Sequence, residues 1–250
     1  MRLDIPLPCF FRGVPFGEAV RTVQACGYNA IETYNWKDLD FAEVKDVLAE
    51  TGIEFLSMCT TNFQMTDPIF RRAFLEGLEE TCRAAEEIGV RKLITQVGPD
   101  TGAPREEQYA SIVDACLEAR PILEASGVTL MLEPLNTYVN HPGYYLTSSA
   151  EAFDIVRTVD HPLVKIVFDI YHQQIMEGNI IPNIVNNLDC IAHLHSAGHP
   201  GRNELQFGEN DYKVIFAAVD KAGYDGCCGL EYHPLLDPVE SMKLTLHLYG

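Results

Sequence analysis

Basic residues are scarce in this chain. Its 250 residues hold 18 Lys and Arg against 36 Asp and Glu, a formal net charge of −18. Such a surface repels a polyanion unless a local cluster of cations overrides the field. No such cluster exists: Arg71-Arg72 and Arg91-Lys92 are the densest basic pairs. Nucleic acid is therefore not expected as a partner. No apolar run approaches the roughly 18 residues a membrane span needs, so a membrane partner is not expected either. Interdomain linkers and low-complexity segments are also missing, which favours one domain over residues 1–250. Eight cysteines (Cys9, Cys26, Cys59, Cys82, Cys116, Cys190, Cys227 and Cys228) include no Cys-x-x-Cys pair. Most sit inside apolar patterns and are expected to be reduced and buried. Met1 to Phe11 carries two prolines and two charges and lacks the apolar stretch of a signal peptide. A cytoplasmic location is the expectation.

What is present is a regular alternation. Strand-like segments fall at 3–10, 28–34, 53–59, 91–97, 128–134, 164–169, 190–196 and 227–232. Between them, apolar residues recur at helical spacing in 16–26, 41–50, 68–88, 105–125, 148–159 and 211–222. Gly27, Gly52, Gly89, Gly127 and Gly223 each stand between a helix and the next strand, as left-handed helix stops do. A repeating βα unit explains this pattern. Eight strands in a chain of this length predict a single (β/α)8 TIM barrel, an α/β fold. An open Rossmann-like sheet would need a glycine-rich turn after its first strand, and Phe11-Arg12-Gly13-Val14-Pro15 is a poor match. The longer irregular stretches, 60–67, 98–104, 135–147 and 197–210, all follow strands. In a TIM barrel those loops form the active face.

Four strand-like segments end in a side chain able to hold a metal: Leu-Met-Leu-Glu133, Ile-Val-Phe-Asp169, His193-Leu-His195 and Gly-Leu-Glu231. Each has a plainer reading. Glu133 and Glu231 could be buried ion pairs, and Asp169 could cap a following helix. His193 and His195 alternate along one strand and share a face. His195 lies nearer the strand's end and is the ligand candidate, while His193 reads as a core histidine. One shared ion accounts for Glu133, Asp169, His195 and Glu231 together. Three carboxylates and an imidazole without a thiolate suit Mn²⁺, Mg²⁺ or Co²⁺ at least as well as Zn²⁺. Such a centre can bind a 2-hydroxycarbonyl compound, acidify its carbon-bound proton and stabilise an enediolate. One glutamate then removes the proton and the other returns it.

His172 lies three residues after Asp169 and shares its face if the chain turns helical there. Arg202, in a Gly- and Pro-bearing loop, can hold a substrate carboxylate or hydroxyl by a two-pronged contact, or pair with Glu204. Glu32 is a possible polar contact near the site. Tyr34, Trp36, Phe10 and Phe63 either wall the pocket or simply pack. His141, His161, His199 and His247 default to solvated or structural roles.

Glu133-Pro-Leu-Asn136, Asp169-Ile-Tyr-His172, His193-Leu-His195, Pro200-Gly-Arg202-Asn-Glu204 and Gly229-Leu-Glu231-Tyr resemble the xylose-isomerase-like TIM-barrel family of sugar isomerases and epimerases. The resemblance covers nearly the whole chain and leans toward the hydroxypyruvate isomerases within it. It implies metal ligation by Glu133, Asp169, His195 and Glu231, an acid/base pair in Glu133 and Glu231, and substrate contacts from His172 and Arg202. It also implies a small hydroxycarbonyl or sugar substrate, and it permits a homodimer or homotetramer. Three positions depart from the hydroxypyruvate isomerase pattern: His195 where Gln is usual, Tyr138 where an Arg often follows, and His233 in place of Lys. His at position 195 is the habit of the ketose 3-epimerases. A metal-dependent dehydratase is a further option on the same scaffold. An abasic-site endonuclease would need three metals and extra histidines on the early strands, which end instead in Cys9-Phe-Phe and Cys59-Thr-Thr. A barrel used only for binding would leave the four ligand candidates unexplained.

Overall fold

The computed structural model describes all 250 residues. Eight parallel strands close into a barrel in sequence order. They are β1 (Arg2–Pro6), β2 (Ala30–Glu32), β3 (Glu54–Cys59), β4 (Lys92–Thr95), β5 (Thr129–Leu132), β6 (Val164–Asp169), β7 (Ile191–Ser196) and β8 (Cys227–Leu230). The helices are α1 (Leu7–Phe10), α2 (Phe16–Ala25), α3 (Phe41–Thr51), α4 (Arg71–Ile88), α5 (Arg105–Ser126), α6 (Ser149–Val159), α7 (Ile170–Met176), α8 (Ile180–Val185), α9 (Tyr212–Lys221) and α10 (Pro238–Tyr249). The expected TIM barrel is the observed fold.

Strand residues alternate between two environments because side chains point to opposite faces of the sheet. Ile5, Ile31, Leu93, Leu130, Ile166 and Leu194 join helix residues such as Val20, Val44, Leu78 and Ile112 in one large apolar cluster between barrel and helices. The barrel interior is smaller and mixed. Ala30, Leu56 and Cys227 make one apolar cluster there, and Ile94, Met131 and Val167 make another. Asp4, Glu32, Ser57, His193 and His195 are also buried, so part of the interior is polar.

The glycine junctions behave as expected. Gly52, Gly89 and Gly127 terminate α3, α4 and α5 in the left-handed conformation, which a Cβ would disfavour. The first strand is shorter than its apolar run suggested. After Pro6 the chain turns into α1, with Pro8 in its first turn, where a missing N–H costs no helical bond. In the segment from 68, Pro68–Phe70 forms a 3₁₀ turn and α4 starts at Arg71. Helices α7, α8 and α10 are additional to those that periodicity delimited. All eight cysteines are free, and all but Cys59 are buried. No helix is long and apolar enough to cross a membrane.

Asp237 caps α10, its Oδ1 accepting from the backbone N–H groups of Val239 (3.0 Å) and Glu240 (3.2 Å). Replacing it with Ala leaves those donors without a side-chain partner. Asp237→Ala is expected to destabilise the fold by ~1 kcal/mol, read as a lower urea midpoint without loss of secondary structure at rest. An unchanged midpoint would show that water replaces the cap fully.

Candidate metal centre

Four consecutive strands deliver the candidate ligands. Backbone pairing continues past the formal end of β5, where the N–H of Glu133 donates to Thr95 O (3.1 Å), and past β8, where Glu231 donates to Ser196 O (2.9 Å). Asp169 on β6 is in register with His195 on β7, and His195 with Gly229 on β8. Closure of a parallel barrel therefore brings the ends of β5, β6, β7 and β8 side by side at one mouth. His195 Nδ1 lies 3.1 Å from Glu231 Oε2 and 3.8 Å from Glu133 Oε1. Glu133, Asp169, His172 and Glu231 each offer one atom to a group spanning no more than 4.8 Å.

Asp169 Oδ2 is buried without a hydrogen-bond partner, while His195 Nδ1 and Glu231 Oε2 meet each other, and Glu231 Oε2 meets Arg202, at ion-pair distances. An unpaired buried polar atom is costly, and a cluster of such atoms among carboxylates is chemically suited to a cation. The donor set of three carboxylates and one imidazole fits a hard or borderline divalent ion. Asp169 serves two purposes at once. Its Oδ1 accepts from the N–H groups of Tyr171 (2.7 Å) and His172 (3.3 Å) and caps α7, which leaves Oδ2 for the centre. The capping reading and the ligand reading are thus compatible.

His172 presents a donor. Its Nδ1 accepts from the backbone N–H of Asn136 (3.0 Å) and lies 2.7 Å from the same residue's amide nitrogen. The amide's orientation follows from its oxygen, which accepts from Val139 N (3.0 Å) and Asn140 N (3.1 Å). With Nδ1 occupied as an acceptor, the proton resides on Nε2, which has no hydrogen-bond partner and lies 3.4 Å from Asp169 Oδ2. Burial, with Arg202 nearby, holds the ring well below its usual pKa, so it stays neutral. This geometry suits contact with a substrate oxygen better than metal ligation.

Arg202 turns onto the acidic cluster. Its Nη2 is 2.8 Å from Glu231 Oε2 and 3.8 Å from Asp169 Oδ2, and its Nε donates to Glu231 O (3.2 Å). The alternative pairing with Glu204 is not formed. Glu204 is buried and accepts instead from the N–H groups of Leu235 and Leu236.

The electrostatics separate the two glutamates. Burial pushes Glu133 up, and the charge of Glu231 adds to the shift. Burial also opposes ionisation of Glu231, yet Arg202 and His195 outweigh it and hold that carboxylate well below its usual range. Burial and then the charge of Glu231 raise Asp169 to about 7. His195 is raised well above its usual value because Glu32 and Glu231 overcome the cost of burying its charge.

A cavity of about 630 Å³ opens onto this cluster, lined in part by Trp36, Cys59, Phe63, His141 and His172. Trp36 and Phe63 therefore do wall the pocket. Phe10 packs instead against Tyr232, with ring centroids 5.0 Å apart. Sequence reasoning passed over His141, whose ring lies 5.3 Å from that of His172. It also missed that Tyr34 donates to Glu231 Oε1 at 2.6 Å. No local signal marks either contact. Glu32 was a weaker candidate than its setting warrants: it too is an acid ending a buried strand, and its Oε1 lies 3.0 Å from His193 Nε2 and 3.2 Å from His195 Nε2. His193 is a core histidine held by that bond. Tyr138 is exposed and does not line this cavity.

Residues 20–246 match the family described as xylose isomerase-like TIM barrel. The chain belongs to that family. It is similar to the hydroxypyruvate isomerase of Escherichia coli, 28% identical over 246 residues that cover 94% of each chain. It is also similar to a 2-oxo-tetronate isomerase of Cupriavidus necator, 39% identical over 132 residues covering 53% of this chain and 50% of that one. A crystal structure from Brucella melitensis, named an AP endonuclease of family 2, superposes with a TM-score of 0.93 at 24% identity and covers 100% of both chains. This last likeness speaks to the fold alone.

Protons held by His195 and Asp169 at neutral pH must leave before their atoms can ligate. Manganese affinity is therefore expected to rise as pH increases from 6 to 8, because fewer protons compete with the ion. Titration calorimetry in buffers of different ionisation enthalpy should report net proton release. Release of no protons would contradict the assigned protonation states.

Proposed function

We propose that this protein is a metal-dependent isomerase of small hydroxycarbonyl compounds, working through a cis-enediolate with the proton passed between two glutamates. The observation that carries this reading is the convergence of Glu133 and Glu231 on His195 Nδ1, at 3.8 and 3.1 Å. The names of the relatives from E. coli and C. necator, both isomerases of small oxygenated compounds, support the class and the substrate size.

A divalent ion held by Glu133, Asp169, His195 and Glu231 supplies Lewis acidity at the mouth of the barrel. The chain's own residues do the rest. Glu231, kept ionised by Arg202 and His195 and anchored through Oε1 by Tyr34, is the base that takes the proton beside the carbonyl. Loss of that proton leaves the cis-enediolate. Glu133, whose carboxyl is pushed up by burial and by Glu231, carries the proton returned to the neighbouring carbon. The hydroxyl proton moves to the former carbonyl oxygen, and the proton on Glu231 passes back to Glu133 to reset the pair. The Nε2–H of His172 donates to a substrate oxygen, and the positive charge of Arg202 offsets the negative charge gathering between the glutamates. Trp36 and Phe63 narrow the cavity and limit water, which would otherwise quench the bound intermediate.

A 3-epimerase reading rests on His195, one of the three residues that depart from the hydroxypyruvate isomerase pattern and the one that matches the ketose 3-epimerases. Isomerisation returns the proton to a different carbon, whereas epimerisation returns it to the opposite face of the same carbon. The net charge of −18 opposes a nuclease reading, since a DNA backbone would meet a surface of its own sign.

Incubation of Mn²⁺-loaded protein with a panel of small hydroxycarbonyl compounds in D₂O tests the proposal. Deuterium is expected at a carbon beside the carbonyl, and its position separates isomerase from epimerase. Chelation should abolish exchange and added Mn²⁺ should restore it. Glu231→Gln is expected to slow exchange by ~10²–10⁴-fold, the usual worth of a positioned general base. Exchange at the wild-type rate in that variant would overturn the assignment.

A further inference from the structure

His195 offers two nitrogens, and only one faces the centre. Nδ1 points into the space shared with Glu133 and Glu231, while Nε2 points back into the barrel. The ring shape alone does not choose between these arrangements. What distinguishes them is a carboxylate on β2, on the other side of the barrel interior. Glu32 Oε1 lies 3.2 Å from His195 Nε2 and 3.0 Å from His193 Nε2. Its Oε2 accepts from Ser57 Oγ on β3. Held at both oxygens, the carboxylate cannot rotate away. It is 1% exposed and does not line the cavity that opens onto the centre, so substrate does not reach it.

The neighbouring strand β8 makes room for this contact, with Gly229 in register with His195. A Cβ on Gly229 would stand 2.4 Å from Glu32 Oε1 and 2.8 Å from His195 Cδ2. Any other residue there would push one of the two side chains out of place.

We propose that Glu32 is the positioning residue of the centre: by accepting the Nε2–H of His195 it fixes the tautomer and turns the Nδ1 lone pair toward Glu133, Asp169 and Glu231. The inference rests on the metal-dependent reading above. A carboxylate behind a ligating imidazole both orients the ring and makes it a better donor. His193, which shares the same oxygen, is the brace that keeps Glu32 centred in the barrel. Glu32 acts only through His195 and is not itself catalytic.

Metal-free protein should be titrated with Mn²⁺, with the signal of the free aqueous ion followed by electron paramagnetic resonance. Wild type, Glu32→Gln and Glu32→Leu are compared, with thermal melts to establish that each is folded. Glu32→Leu removes the acceptor and is expected to weaken binding by ~10–100-fold, the usual cost of losing such a partner. Glu32→Gln keeps an acceptor oxygen without the charge and is expected to fall between. A second measurement needs no variant. Wild type carrying ¹⁵N-histidine and loaded with ¹¹³Cd should show metal–nitrogen coupling at Nδ1 of His195 and a proton on Nε2. Wild-type affinity in folded Glu32→Leu, or coupling at Nε2, would overturn the proposal while leaving the metal reading intact. Absence of Mn²⁺ binding by wild type would remove both.

Discussion

Negative charge buried at the ends of neighbouring strands is the constraint around which this molecule is organised. Glu133, Asp169 and Glu231 are largely removed from water at the mouth of the barrel, where an isolated carboxylate is strongly disfavoured. The compensation present in the chain is partial. Arg202 covers Glu231 and approaches Asp169, and a protonated His195 sits between Glu133 and Glu231. Several oxygen and nitrogen atoms still lack partners. A site that its own residues do not fully neutralise is suited to a cation, which is the feature the proposed metal-dependent reading uses.

The supporting elements keep this unstable arrangement in place. Parallel pairing carried one residue beyond β5 and β8 fixes the backbone of both glutamates. Asp169 spends one oxygen on the start of α7 and keeps the other free. Asn136 occupies Nδ1 of His172 and thereby directs a proton into the site. Tyr34 holds one oxygen of Glu231, so the other faces inward. In each case a side chain with two polar atoms has one tied to the scaffold and one offered to the centre. This arrangement limits rotation without consuming the functional atom, which is what preorganisation requires.

Much of the architecture was readable in advance because a parallel barrel imposes a repetitive grammar. Strands buried on both faces appear as unbroken apolar runs, and helix stops recur as glycine. The strand from residue 3 was overextended for the same reason: Leu7, Cys9 and Phe10 are apolar in either conformation, and the prolines were the only sign of α1. The ligand candidates were visible as polar residues ending apolar runs. Glu32 shows that same form, yet its partners are remote in sequence, 161 residues away for His193 and 163 for His195. Tyr34 and Glu231 are separated by 197 positions. Pairings of that kind leave no local trace.

By itself the sequence determined the period of the βα repeat, the location of buried charge at strand ends and the chemical type of each donor. These follow from hydrophobic patterning and side-chain identity, which are local properties. Only the tertiary structure decided which oxygen of Asp169 is free, which nitrogen of His195 faces the centre, and that Arg202 turns toward Glu231 and away from Glu204. The reason is geometric. Closure of the barrel sets distant strands within hydrogen-bond reach of one another, and the orientation of a two-ended side chain depends on whichever partner arrives from across that interior.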